Sequence, residues 1–199
     1  MRLVIASRNK KKAEELSRIL GNDFEVVTLS DIEAVIPEVE EDTNTFVGNA
    51  IKKAVWVAHW VGDLVLADDS GLEVMALGGR PGVYSARFAG PEKDDFKNNQ
   101  KLLEMLEGVR DRSARFVCAV GIADSNGLIG VCRGEVWGTI SREMRGSNGF
   151  GYDPLFVPRG HKKTFAELPS HQKDQISHRK IALERARYLL KIYVSNLPL

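Results

Sequence analysis

The feature that most restricts how this chain can fold is the run Leu64-Val65-Leu66-Ala67, followed at once by Asp68-Asp69-Ser70-Gly71. The apolar run reads as a buried strand. The adjacent carboxylates read as its end, which predicts a central strand over residues 64–68 and a short one over 71–75. Two acids where a buried strand stops are costly unless something positive meets them. A divalent cation is the simplest occupant, because hard cations take carboxylate oxygens.

The surrounding sequence supplies the rest of an α/β framework. Residues 3–6 predict a strand. Residues 10–20 predict a helix with Ala13, Leu16, Ile19 and Leu20 on one face, Asn9 as its N-cap and Gly21-Asn22 as its stop. A second strand is expected over 24–28 and an acidic loop over 36–44. A long helix is expected over 45–61, with Phe46, Val47, Ala50, Ile51, Ala54, Val57 and Ala58 as its apolar stripe. Further helices are expected over 96–107, 170–177 and 179–194. Strands over 114–124 and 128–140 form a hairpin, because Asn126-Gly127 signals a type I′ turn. Residues 142–154 are glycine-rich and irregular. The alternation of βα units with a hairpin predicts an α/β fold on a mixed sheet.

With 199 residues, 43% of them hydrophobic, the chain suits one domain or two small lobes around a substantial core. Its formal net charge of +1 argues against a nucleic-acid coat or a membrane-surface protein. Cys118 and Cys132 lie in strand-like runs and read as small buried thiols of a reducing compartment, with a disulfide between neighbouring strands as the alternative. The opening residues do not form a signal peptide, and no apolar run approaches a membrane span of roughly 20 residues. The expectation is a soluble, cytoplasmic protein.

Four clusters carry chemistry. Ser7-Arg8-Asn9-Lys10-Lys11-Lys12 opens a helix after a strand, where free N–H groups and the positive dipole end favour a phosphate. The plainer reading is a capped helix with a solvated basic face. Glu38, Glu40, Glu41 and Asp42 precede the long helix, and one of them can complete a metal site with Asp68 or Asp69; acids favouring a helix N-terminus explain them equally well. Lys52 and Lys53 lie two turns into that helix, where one of them can reach polyphosphate; otherwise both are solvated. The loop 146–154 contains Phe150, an aromatic face for a base, and Asp153, an acceptor for a base N–H; a tight turn burying Phe150 and Tyr152 is the alternative. Lys173, His178 and Arg179 place three donors near a helix start; His178 taken alone reads as a satisfied structural histidine. Ser70 has no evident base, which excludes covalent serine chemistry.

Together these segments resemble the inosine triphosphate pyrophosphatase family. The resemblance rests on Ser7-x-Asn9-x-x-Lys12, Glu41 through Lys53-Ala54, Ala67-Asp68-Asp69-Ser70-Gly71-Leu72, Leu77 through Arg87, Gly149-Phe150-Gly151-Tyr152-Asp153-Pro154 and Lys173-x-x-Ile176-Ser177-His178-Arg179, in order over nearly the whole chain. It implies an ITPase-like α/β fold, a mixed twisted central sheet flanked by helices, as a single domain of two lobes with a cleft between them, usually a homodimer. It implies Mg2+-dependent cleavage of ITP, dITP or XTP to the monophosphate and pyrophosphate. Ser7 to Lys12 and Lys53 would hold phosphates. Glu41 and Asp69 would bind metal, with Asp68 beside them. Asp69 would accept a proton from water, with Asp68 in reserve. Ser70 would touch substrate. Phe150, Gly151, Tyr152, Asp153, Lys173, His178 and Arg179 would hold the base. Two departures stand out: Gly48 replaces a glutamate that many members carry, and Ser147-Asn148 replaces smaller residues before the aromatic loop.

Donors from Lys173, His178 or backbone N–H groups are expected to pair with the 6-carbonyl of inosine or xanthine, a pairing that adenine cannot make. Two other readings remain: a pyrophosphatase for other modified nucleotides, and a nucleotide- or RNA-binding module without catalysis.

Overall fold

The structure, a computed structural model, describes residues 2–32 and 36–196. Strand β1 (Arg2–Ile5) leads into helix α1 (Lys10–Leu20), where the Asn9 side chain accepts from the Lys12 N–H as the N-cap. That cap is worth about 1 kcal/mol. Strand β2 (Glu25–Thr28) follows, then helix α2 (Phe46–Val61), capped by Thr45 and closed by left-handed Gly62. Strand β3 (Leu64–Val74), helix α3 (Asp95–Met105), strands β4 (Ser113–Asp124), β5 (Gly127–Ile140) and β6 (Phe156–Pro158), and helices α4 (Ser170–Ile176) and α5 (His178–Ser195) complete the order.

The strands form one six-stranded sheet in the order β2-β1-β3-β4-β5-β6. β1 pairs parallel with β2 and with β3, while β5 and β6 pair antiparallel, so the sheet is mixed.

The chain divides into two compact units. The first comprises Met1–Asp69, Cys118–Gly134 and Arg179–Leu199. Its core has two layers. Leu3 and Ile5 of β1, Leu64 and Leu66 of β3 and Val120 of β4 pack against Leu16 of α1 and Leu183 of α5. The alternate positions, Val4, Val65, Ala67 and Ala123, pack against Ala54, Val57 and Ala58 of α2. Helices therefore cover both faces, as period-two alternation of a buried strand requires. Gly121 is what lets α2 lie close: a Cβ there would stand 2.7 Å from the Ala50 carbonyl oxygen. The second unit comprises Ser70–Val117 and Glu135–His178. Its core joins Leu72, Leu102, Leu106, Phe116, Leu155, Phe156 and Phe165.

Several expectations are corrected. β3 does not stop at Asp68 but runs unbroken to Val74, because a strand's ladder is made by backbone groups and tolerates polar side chains that find partners. Val47 is exposed rather than part of the apolar stripe, and Cys132 is only half-buried. Both cysteines are free thiols. The residues linking β4 to β5 are Ser125 and Asn126, one position earlier than the turn signal suggests. The three-residue strand β6 was not anticipated. Among the described residues no helix is long and apolar enough to cross a membrane.

Candidate active site

Successive side chains of a strand point to opposite faces, and the two aspartates of β3 divide accordingly. Asp68 shares its face with Leu64 and Leu66, toward α1 and α5; Asp69 shares its face with Val65 and Ala67, toward α2. Each acid therefore meets a different helix.

Asp68 is 1% exposed. Lys12 Nζ of α1 stands 2.9 Å from its Oδ1, and Arg179 Nε of α5 stands 3.6 Å from Oδ2. Arg179 is itself balanced by Glu15 of α1, whose Oε2 lies 3.2 Å from the guanidinium. The Cys118 thiol sits 3.9 Å from Asp68 Oδ2. Burial pushes that thiol's pKa up, and the Asp68 charge adds to the effect, so it stays protonated. Burial also opposes ionisation of Asp68, but Lys12, Arg179 and Lys53 together outweigh it and hold the carboxyl below its ordinary value.

Asp69 is 7% exposed. Asn49 Nδ2 of α2 donates to its Oδ2 at 2.9 Å. Burial raises the Asp69 pKa; Lys12, Lys53 and Asn49 oppose the rise and Glu41 reinforces it. Lys53, one turn beyond Asn49 on the same helix, places Nζ 2.5 Å from Glu41 Oε1. Burial works against the Lys53 charge, but Glu41, Asp68 and Asp69 raise its pKa above the ordinary lysine value. Lys53 and Lys12 also donate to one acceptor, the Asp68 carbonyl oxygen, each at 3.2 Å. Lys12, Glu41, Lys53, Asp68, Asp69 and Arg179, drawn from five distant parts of the sequence, thus form one charged centre in the first unit.

The other residues of the amino-terminal turn make contacts of their own. Ser7 accepts from the Asn9 N–H, and Arg8 reaches the Ile36 carbonyl. Lys10 and Lys11 are exposed on α1. Arg179, grouped by the sequence with the base-holding residues, packs against Asp68 and Glu15.

The second unit gathers the remaining candidates. Lys173 and Asp153 form a buried pair, with Nζ 2.7 Å from Oδ2. The same carboxylate oxygen accepts from the Phe150 N–H at 2.9 Å, and Lys173 Nζ lies 5.0 Å from the Phe150 ring centre. Gly149 is left-handed, with φ of 76°, and any Cβ there would collide with the Asp153 carboxylate. Gly151 is held by Asp95, which accepts from its N–H, and by Asn99, which donates to its carbonyl. Tyr152 turns into the core, where its hydroxyl donates to Ser85 O at 2.8 Å. His178 is buried and stacks on Phe116 with ring centres 4.7 Å apart. Ser70 is half-buried in β3.

Residue-by-residue reading missed Glu15, Asp95 and Asn99, and gave no role to Asn49, which stands in the segment that carries the family resemblance. Glu15 carries one signal, since it falls on the buried face of α1 between Ala13 and Leu16. Asn49 sits on the α2 face that turns toward β3, but only a structure pairs it with Asp69.

Fold and centre together define an α/β protein with a mixed sheet whose buried carboxylates are met by lysines from two helices. The chain belongs to the Ham1 family, whose family model matches residues 3–188. It is similar to a Desulforamulus reducens protein named dITP/XTP pyrophosphatase, 52% identical over 198 residues and covering 98% of each sequence. Among solved structures it is similar to the Staphylococcus aureus Ham1 protein, with TM-score 0.85 and 40% identity over 97% of this chain and 100% of the other. It is also similar to a Mycobacterium abscessus structure described as nucleoside-triphosphatase / dITP/XTP pyrophosphatase, with TM-score 0.75 and 43% identity over 94% of this chain and 98% of that one.

Proposed function

We propose that this protein hydrolyses non-standard purine nucleoside triphosphates, dITP, ITP and XTP, to the monophosphate and pyrophosphate. The observation that carries the reading is the convergence of Lys12 and Lys53 on the Asp68 carbonyl, beside two buried carboxylates in different electrostatic states. Family membership and the names of the relatives point to the same activity.

Mg2+ is the ion expected here. Its donors, Glu41 and Asp69, are hard carboxylate oxygens whose charges act on one another. Two carboxylates suit an ion which takes one or two protein carboxylates and completes its shell with water and substrate phosphate. When bound, Mg2+ supplies charge withdrawal from phosphate oxygens and orientation of water.

The chain's own groups do the rest. Lys12 and Lys53 bind the triphosphate and stabilise charge on departing pyrophosphate. Ser7 and the exposed residues Arg8 to Lys11 extend that grip along the tail, and Ser70 adds a hydroxyl contact. Asp69 receives the proton of the attacking water. Asp68 is a poor base, since three cations stabilise its charge; it fixes Lys12 and Arg179 instead. Phe150 stacks on the base. Lys173 and His178 donate to its 6-carbonyl, with Asp153 holding Lys173 in place. Adenine would leave those donors unpaired, at about 1–3 kcal/mol each. A homodimer in the cytoplasm, with no nucleic-acid or membrane partner, completes the reading.

Pyrophosphate release over a panel of triphosphates, with and without Mg2+, tests it. ITP, dITP and XTP should turn over far faster than ATP, and only with the metal. Comparable ATP hydrolysis would refute the donor pocket, and a preference for a modified pyrimidine would move the substrate assignment.

A further inference from the structure

Asp69 is addressed through Asn49, and Asn49 is itself oriented from outside its helix. The Thr43 N–H donates to Asn49 Oδ1 at 3.1 Å, and the Thr43 hydroxyl donates to the same oxygen at 2.7 Å, with Thr45 O 3.0 Å from that hydroxyl. A backbone N–H can only donate, so the amide oxygen must face Thr43. The Asn49 NH2 is thereby turned toward Asp69 Oδ2, 2.9 Å away. Asn49 is 1% exposed, so a misoriented amide would set an N–H against an N–H without water to relieve it.

Thr43 can take this position only because residue 48 has no side chain. A Cβ on Gly48 would stand 2.6 Å from Thr43 Oγ1 and 2.9 Å from Thr43 Cβ, closer than such atoms approach in proteins. Glycine near the start of α2 is otherwise a poor choice, disfavoured in a helix by roughly 0.5–1 kcal/mol relative to alanine. Its presence here coincides with the seat of Thr43.

We propose that Thr43 is a positioning residue for Asp69, acting through Asn49, and that Gly48 is the opening that admits it. The inference rests on the proposed activity for its kinetic readout, and on metal binding for an independent one. Residues that orient carboxylates toward a metal change affinity or activity by about 10–100-fold when removed.

The test compares wild type, Thr43→Val, Thr43→Ser, Gly48→Ala and the Thr43→Val/Gly48→Ala double variant. It measures kcat and KM for dITP, the Mg2+ concentration for half-maximal rate, and Mn2+ binding by electron paramagnetic resonance without nucleotide. Thr43→Val keeps the volume and loses the hydroxyl. It should lower kcat about 10-fold and weaken Mn2+ binding by a similar factor, with KM for dITP within about twofold of wild type. Thr43→Ser should restore both within about twofold. Gly48→Ala should resemble Thr43→Val, and the double variant should be no worse than either single one, because both remove one contact. Melting curves establish that each variant is folded.

A folded Thr43→Val with wild-type kcat and Mn2+ affinity overturns the inference, as does full additivity in the double variant. If wild type binds Mn2+ but cleaves no triphosphate, the function fails, and weaker Mn2+ binding by Thr43→Val still supports the positioning role. If wild type does neither, both fall.

Discussion

Lys12 and Lys53 sit on different helices, yet their ammonium groups share a single acceptor, the carbonyl oxygen of Asp68, at 3.2 Å each. Two like charges so placed repel unless acids surround them. Here Asp68 Oδ1 meets Lys12 and Glu41 meets Lys53. The cations are thus held in place before any substrate arrives, which is the condition for electrostatic stabilisation without reorganisation. Replacing either lysine by methionine should lower kcat for dITP about 10²–10³-fold. Retained turnover in Lys12→Met, measured by pyrophosphate release, would remove Lys12 from the reaction.

Asp69→Asn keeps the shape of the side chain and an acceptor for the Asn49 NH2, but removes a carboxylate that burial disfavours. The expected result is a loss of turnover of about 10²–10⁴-fold. Melting temperature should be unchanged or higher. Near wild-type kcat would reject Asp69 as the group that takes the proton.

Asp68→Asn should behave in the opposite way. Its carboxyl is depressed by Lys12, Arg179 and Lys53 against the effect of burial, so the ionised form stabilises the fold. A depressed acid contributes stability above its unfolded value of about 3.9, and the contribution is lost as pH falls through the lower folded value. The variant should lose about 3–5 kcal/mol at pH 7, the range for breaking a buried ion pair. The gap between wild type and variant should close as pH falls below about 4. Denaturant melts from pH 3 to 7 read this directly, and a gap independent of pH would contradict it.

Lys173→Met should separate binding from chemistry. It strips Asp153 of a partner 2.7 Å away in the second unit and removes a donor proposed for the base. KM for dITP should rise about 10-fold or more, the worth of one hydrogen bond of roughly 1.5 kcal/mol or above. Discrimination against dATP should narrow with it. A change confined to kcat would place Lys173 elsewhere in the mechanism.

Local signals were legible where the determinants are local. Asn9 and Gly21 bracket α1, and its buried face carries the four apolar residues that its spacing picks out. The end of β3 was not legible, because Asp68 and Asp69 look like a terminus when read along the chain. The strand continues since Lys12, Arg179 and Asn49 compensate those acids from outside it. Glu15 falls on the buried face of α1, but its partner there, an arginine from the far end of the sequence, does not show along the chain. The placement of Arg179 beside Asp68 was missed for the same reason. Partners this remote leave no trace in spacing or periodicity.

The alternation of β3 has a consequence for how such a centre changes over time. One peptide bond separates two acids whose uncharged and ion-pair contacts come from different helices, Asn49 of α2 for Asp69 and Lys12 and Arg179 of α1 and α5 for Asp68, so a substitution at Asn49 leaves the ion pairs of Asp68 in place. The charges of Lys12 and Lys53 reach both acids, so an exchange of either lysine is felt on both faces of the strand at once.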